Sequence, residues 1–240
     1  MKIKLLRLNE KNRYLHIYNR FYCQKNIIPI GSDCHAAYIL NALNLRKQSI
    51  VFDWLFCNSK KGVEYVNKMI ETNFSDFLCN LTKNERQHII SENYPYVEFF
   101  HEKNLIDSST DRNKMSKRGK RFLEAIEKES CILLYVANYE FFKKESDTDY
   151  FIETLHQLNI LTKNAHSIKI FIKCNQNVNN FEQINYFVNS CNELKNVKAV
   201  KYFLDTQKYG AWGNAKDYIP LLTALEIPVK KHFLPKVFIK

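Results

Sequence analysis

The segment GSDCH, residues 31–35, places a thiol where it can act as a nucleophile. A short apolar run (Ile27, Ile28, Ile30) precedes it. Ala36, Ile39, Leu40 and Leu43 follow at helical spacing, so the turn joins a buried strand to an amphipathic helix. Gly31 permits a sharp backbone turn, Ser32 or Asp33 can cap the helix, and Cys34 falls in its first turn. Unpaired N–H groups and the positive end of the helix dipole are expected to lower the thiol pKa there and favour the thiolate. The plain alternative for Cys34 is a small buried thiol, since free cysteine is among the most buried residues. Ser32 competes as a nucleophile, or serves as cap or oxyanion-loop residue.

Such a nucleophile needs a base, an orienting group and a donor for developing negative charge. His101 is the expected base, delivered at the end of a strand over Val97–Phe100. His35 adjoins Cys34, but successive helical residues point about 100° apart, so it faces a ligand rather than its neighbour. Asp53 can orient an imidazole or hold Arg46, and Trp54 can supply an apolar wall; core packing with a capped turn is the alternative for both. Asn138, after the apolar run CILLYVA, can donate to an oxyanion or a substrate hydroxyl. The substrate-binding set is Gly31, Ser32, Asp33, His35, Trp54, Arg118, Arg121 and Trp212. Within it, Arg118 and Arg121 can hold the phosphates of an anionic donor, such as a nucleotide-linked donor or coenzyme A, unless their helix is simply a solvated basic face. No Walker loop or GxGxxG fingerprint is present, and no His-x-x-x-His or carboxylate cluster points to a metal, so neither cofactor nor metal is expected.

The elements that must position these residues read as an α/β domain. From Cys131 onward strands and helices alternate: Cys131–Ala137, a helix on Phe151, Leu155 and Leu158, Ile168–Ile172, a helix on Phe181, Ile184, Val188 and Cys191, Val197–Phe203, and a last helix on Tyr218, Leu221, Leu222 and Leu225. This alternation predicts an open, mostly parallel, doubly wound sheet with helices on both faces. Residues 1–26 form an N-terminal extension, with a short strand expected at Ile3–Leu6. Residues 27–240 form one α/β domain, with 57–96 a small helical cap or insertion. Ligands of such sheets bind at the carboxyl ends of the strands, near the switch point in strand order. The loops at 32–34, 101–104, 138–140, 174–176 and 205–212 are therefore expected to share one rim.

The 240 residues suffice for a sizeable core, and 45% hydrophobic content fits a folded protein. The formal charge of +11 invites an anionic partner. Only eight of the 36 basic residues are arginine, however, and no nucleic-acid motif accompanies them, so a nucleic-acid partner is not expected. Seven cysteines without CxxC pairs support neither a disulfide framework nor a zinc ribbon. With no apolar leader or membrane-length window, the expected location is cytoplasmic.

The segment GSDCHAAYILNALNLRKQSIVFDWLF resembles the opening motif of an uncharacterised domain family labelled as papain-like cysteine peptidases. In that family a Gly-x-x-Cys turn, a helix, a Leu-Arg-x-x-Ser step and a Phe-Asp-Trp segment follow one another. Here they are Gly31–Cys34, Leu45–Ser49 and Phe52–Trp54, with Val51 where the family pattern has proline. Phe99–His101, Lys117–Arg121 and Ile132–Val136 continue the resemblance, which covers about residues 27–140 well. It implies a cysteine peptidase, and Cys34, His101 and Asn138 occur in the papain order. The alternating second half is instead similar to the SGNH-type esterase and acyltransferase architecture, a three-layer sandwich also seen in flavodoxin-like folds. Some SGNH relatives with a Gly-Ser-Cys turn are linked to surface-polysaccharide assembly. The Asp-x-x-His of those esterases is missing, since His232 has no acid three residues before it. The expected activity is a cysteine-nucleophile hydrolase or acyl transferase acting on a small-molecule, sugar or peptide substrate. The alternative is a sugar-directed acyl or glycosyl-type transferase, or a non-catalytic ligand-binding module, in bacterial surface-polysaccharide biosynthesis.

Overall fold

The computed structural model describes residues 2–4, 14–175 and 181–239. Leu5 and Leu6 of the strand expected near the N-terminus, and Gln176 of the expected rim, lie outside them. Three short strands lead in: β1 (Lys2–Lys4), β2 (Tyr14–Tyr18) and β3 (Phe21–Tyr22). Then come β4 (Ile27–Pro29), α1 (His35–Ala42), a 3-10 turn at Val51–Trp54, β5 (Phe56–Cys57) and α2 (Gly62–Glu71). Next are β6 (Leu81–Lys83), β7 (Ile89–Ser91), β8 (Tyr94–Glu98) and the long α3 (Ser109–Lys128). The alternating half supplies β9 (Ile132–Asn138), α4 (Glu145–Leu161), β10 (Ser167–Asn175), α5 (Phe181–Glu193) and β11 (Val197–Leu204). It ends with α6 (Thr206–Tyr209), α7 (Tyr218–Ala224), β12 (Lys230–Lys231) and β13 (Lys236–Ile239).

The central sheet is parallel, in the order β11-β10-β9-β4. Its middle strands are apolar on both faces, as strands covered by helices on both sides must be. Leu133, Tyr135 and Ala137 of β9, with Ile168, Ile170 and Ile172 of β10, pack with residues of α2 to α5. Ile132, Leu134 and Val136, with Phe171 of β10, pack with α1 and α7. Helices thus pack on both faces of the parallel sheet. Strand order follows chain order without reversal, so no switch point marks the ligand-binding edge of these four strands.

The segment between β4 and β9 departs from a helical cap. Residues 57–96 contain one helix, α2, while β5, β8, β7 and β6 build a four-stranded antiparallel sheet. Asn80 and Gln87 take positive φ at the ends of its short strands, the conformation that lets the chain reverse there. Two- to five-residue strands broken by Asn and Ser leave little periodicity to read. The expected strand before His101 is β8, but it pairs only with β5 and β7, so His101 follows the antiparallel sheet rather than the parallel one.

Gly62, first residue of α2, fixes how closely this layer approaches β9. A Cβ there would lie 2.3 Å from the Tyr135 hydroxyl and 3.1 Å from the Cys57 sulfur, and both of those side chains are buried. Gly62→Ala is therefore expected to destabilise the protein by about 1–3 kcal/mol despite alanine's better helix propensity. Urea unfolding would detect this, and an unchanged midpoint would mean that α2 is free to shift.

Candidate functional site

The turn after β4 lies at the carboxyl edge of the parallel sheet. Gly31 has φ +87°, a value at which a side chain is strained, and faces Phe52 of the 3-10 turn. Ser32 is buried in a chain of hydroxyls whose proton directions follow from its ends. The Asn138 N–H donates to Ser59 Oγ at 3.1 Å, and the Ser32 hydroxyl donates to the Val136 carbonyl at 2.6 Å. The 2.8 Å contact between the two serines is then donated by Ser59. The Cys57 N–H closes on the Ser32 carbonyl at 2.8 Å. Ser32 thus ties the turn to β9 and spends its proton doing so, which suits a positioning role rather than a nucleophile's.

Asp33 caps the helix: its Oδ1 accepts the His35 N–H at 2.8 Å. Its Oδ2 is ion-paired with Lys173 near the end of β10, a strand away across β9. Cys34 is half-buried beside this pair, and its thiol makes no side-chain hydrogen bond to another described residue. Burial first, and the neighbouring Asp33 charge second, push the thiol pKa up, against Lys173 and a local backbone hydrogen bond. The thiolate expected from the helix terminus is therefore not the favoured resting form, because desolvation and a carboxylate outweigh the dipole of an eight-residue helix.

His35 is turned away from the thiol. Its ring is buried among Phe171, Tyr202, Trp212 and Tyr218, with centroids 5.7–6.5 Å away. Its Nε2 lies 3.0 Å from the Trp212 carbonyl, which can only accept, so Nε2 carries the proton and Nδ1 is buried without a partner. The Tyr218 hydroxyl donates to the same carbonyl at 2.8 Å, and the Trp212 indole stacks on Tyr38 at 4.1 Å. His35 and Tyr38, three residues apart on α1, thus hold the loop after β11 beside the Cys34 turn. Burial pushes the His35 pKa down to about 4.

Asp53 and Trp54 form a second cluster. The buried Asp53 carboxylate is ion-paired with Arg46 and accepts the Ile50 N–H at 2.9 Å, capping the 3-10 turn. Arg46 also donates to Ser49 Oγ at 3.0 Å and lies over the Trp54 ring at 5.6 Å. The Leu-Arg-x-x-Ser and Phe-Asp-Trp steps therefore close on each other, and of the two roles open to Asp53 the structure shows the one that holds Arg46. His101 is exposed, with its ring 5.3 Å from Trp54 and 4.9 Å from Phe100. No hydrogen bond among the described residues joins it to Cys34.

The remaining expected residues are dispersed. Asn138 sits at the rim, but its Oδ1 accepts the Glu140 N–H at 3.2 Å and caps a short 3-10 turn. Arg118, expected on the outer face of α3, is buried and paired with Glu102 at 2.5 Å. Arg121 lies on the basic face of α3 with Lys114, Lys117 and Lys120. Hydrogen bonds link Gly31–His35 to Asn138, through Ser59, and to Trp212, whereas none among the described residues joins Asp53, Trp54 or His101 to Cys34. The structure also adds Lys173 and Ser59. Lys173 carries a legible signal, a lysine at the carboxyl end of an apolar strand; Ser59, in a polar loop, carries none.

An α/β protein with a four-stranded parallel sheet and a free thiol at its carboxyl edge is the class that these features define. The chain belongs to the family described as "Putative papain-like cysteine peptidase (DUF1796)", which it matches over residues 25–199. No curated protein and no solved structure matches it. No helix among the described residues is long and apolar enough to cross a membrane.

Removing Arg46 would leave a buried carboxylate without its counterion. Arg46→Met is expected to cost about 3–5 kcal/mol in urea unfolding, and Arg46→Met combined with Asp53→Leu distinctly less. A loss in the double variant equal to the sum of the losses of Arg46→Met and Asp53→Leu alone would show that the pair is not coupled. His35 supplies a pH test. Unfolded histidine binds its proton below about pH 6.5, whereas the folded ring holds off until about 4, so stability falls as pH drops through that window. His35→Gln should flatten the slope in part, since burial lowers the pKa of His166 as well. An unaltered slope would contradict the assignment.

Proposed function

We propose that the protein is an acyl-transferring enzyme, a hydrolase or acyltransferase, whose nucleophile is Cys34. The observation that carries this is the position of that thiol. Cys57, Cys131, Cys174 and Cys191 are buried, Cys79 is exposed in the loop before β6, and the half-buried Cys23 follows β3, whereas the half-buried Cys34 heads α1 on the strand-end rim beside a charged pair. Family membership supports the same choice. In the reaction the Cys34 sulfur forms a bond to an acyl carbon, the thiol proton leaves, and the leaving group departs with a proton. Water or an acceptor hydroxyl then attacks the thioester and frees the sulfur.

Asp33, the adjacent residue and ion-paired with Lys173, is the acceptor we assign to the thiol proton on the ground of its position beside Cys34. Lys173 holds that carboxylate and offsets the charge of the emerging thiolate. His101, expected as the base, packs its ring against Trp54 and has no hydrogen bond to Cys34 among the described residues. Peptides and acylated sugars both present a suitable carbonyl.

A second reading, non-covalent binding at the same rim, is favoured by the raised thiol pKa and the lack of an imidazole partner. The two separate in one experiment. With thioester and ester substrates, Cys34→Ala should abolish turnover while circular dichroism is unchanged, and Lys173→Met should move the pH profile of Cys34 alkylation upward. Turnover that survives Cys34→Ala would remove the nucleophile; ligand binding that survives without any turnover would establish the second reading.

A further inference from the structure

On the antiparallel sheet, away from the Cys34 turn, lies a cleft of about 540 Å³, within the range of small-molecule sites. Its floor includes the buried Ile89 and Phe99, and its walls carry Lys83, Arg86, His88, Phe100, His101 and Lys103. Glu98, buried beneath, organises one side. It pairs with Arg86, accepts from Asn84 at 3.0 Å, and lies 2.7 Å from His88 Nδ1. Its charge is thereby committed, while the exposed guanidinium of Arg86 keeps further N–H groups to offer. Lys83 and Lys103 are exposed and have no acidic partner among the described residues.

Next to these cations stands a row of rings. Phe100 is 47% exposed, with His88 at 4.8 Å and His101 at 4.9 Å, and His101 is backed by Trp54 at 5.3 Å. An exposed aromatic side chain held between imidazoles at the edge of a positive cleft offers a flat apolar face next to charge. Cations alone would suit any anion; the rings select one that also carries a planar group.

We propose that this cleft binds a nucleoside diphosphate or its derivative, with the phosphates on Lys83, Arg86 and Lys103 and the base against Phe100 and His101. The charge-assisted contacts supply most of the attraction and the ring contact supplies selectivity. This assignment is independent of Cys34 chemistry.

Isothermal titration of the full chain with UDP, ADP and inorganic pyrophosphate tests it. Both nucleotides should bind saturably, and pyrophosphate about tenfold more weakly. Combined Lys83→Ala and Lys103→Ala should weaken all three about tenfold or more. Phe100→Ala should bring nucleotide affinity down to that of pyrophosphate without altering pyrophosphate itself. All three side chains are exposed, so these variants should fold. Cys34→Ala should bind as the unaltered protein does, which keeps failure here distinct from failure of the acyl-transfer proposal. No saturable binding at millimolar nucleotide, pyrophosphate binding as tightly as nucleotide, or losses caused by Lys120→Ala on α3 rather than by the cleft variants would overturn the assignment.

Discussion

The ion pair between Arg46 and Asp53 is the interaction on which the arrangement around the rim depends. A carboxylate in a nearly dry interior is costly unless a counterion and a hydrogen-bond donor meet it. Arg46 and the Ile50 N–H do so, and burial still holds the Asp53 pKa above the usual carboxylate range against the pull of Arg46. Once the pair forms, residues 50–54 have little freedom. The turn presents Phe52 to Gly31, sends Trp54 toward His101, and leads into β5, where the Cys57 N–H closes on the Ser32 carbonyl. One buried contact thus couples the exit of α1 to the turn at its entrance.

The opening motif accordingly divides into two parts with different physics. Arg46, Ser49, Asp53 and Trp54 satisfy one another and leave little for a ligand. Ser32 is spent in the hydroxyl chain to Val136 and Asn138. What faces outward is Cys34 with the Asp33–Lys173 pair, next to a Trp212 loop held by His35 and Tyr38. Burial and the Asp33 charge push the Cys34 pKa up, and Lys173 offsets that charge.

Much of the parallel half could be read from the chain because buried strands and amphipathic helices have distinct periods. CILLYVA announced β9, and the strands and helices after it followed at expected places. The turn at Gly31 was legible for the same reason, as a glycine between an apolar run and a helical stripe. The antiparallel sheet was not, since β5 to β8 are two to five residues long and held by cross-strand pairing that leaves no local pattern. His101 follows β8 and so belongs with this antiparallel sheet rather than with the expected rim of the parallel one. For the thiol pKa the helix terminus and the neighbouring Asp33 are visible in sequence, but the burial that does most to raise it is tertiary. Arg118 shows the same limit, a basic residue on a basic helix that is buried against the partly buried Glu102.

The central claim is that the chemistry of this protein resides at Cys34. Incubation of the intact protein with an activated acyl thioester, followed by mass measurement and peptide mapping, tests it most directly. The account predicts a single acyl group on the peptide that contains Cys34. An unmodified Cys34, or acylation confined to the exposed Cys79, would contradict it.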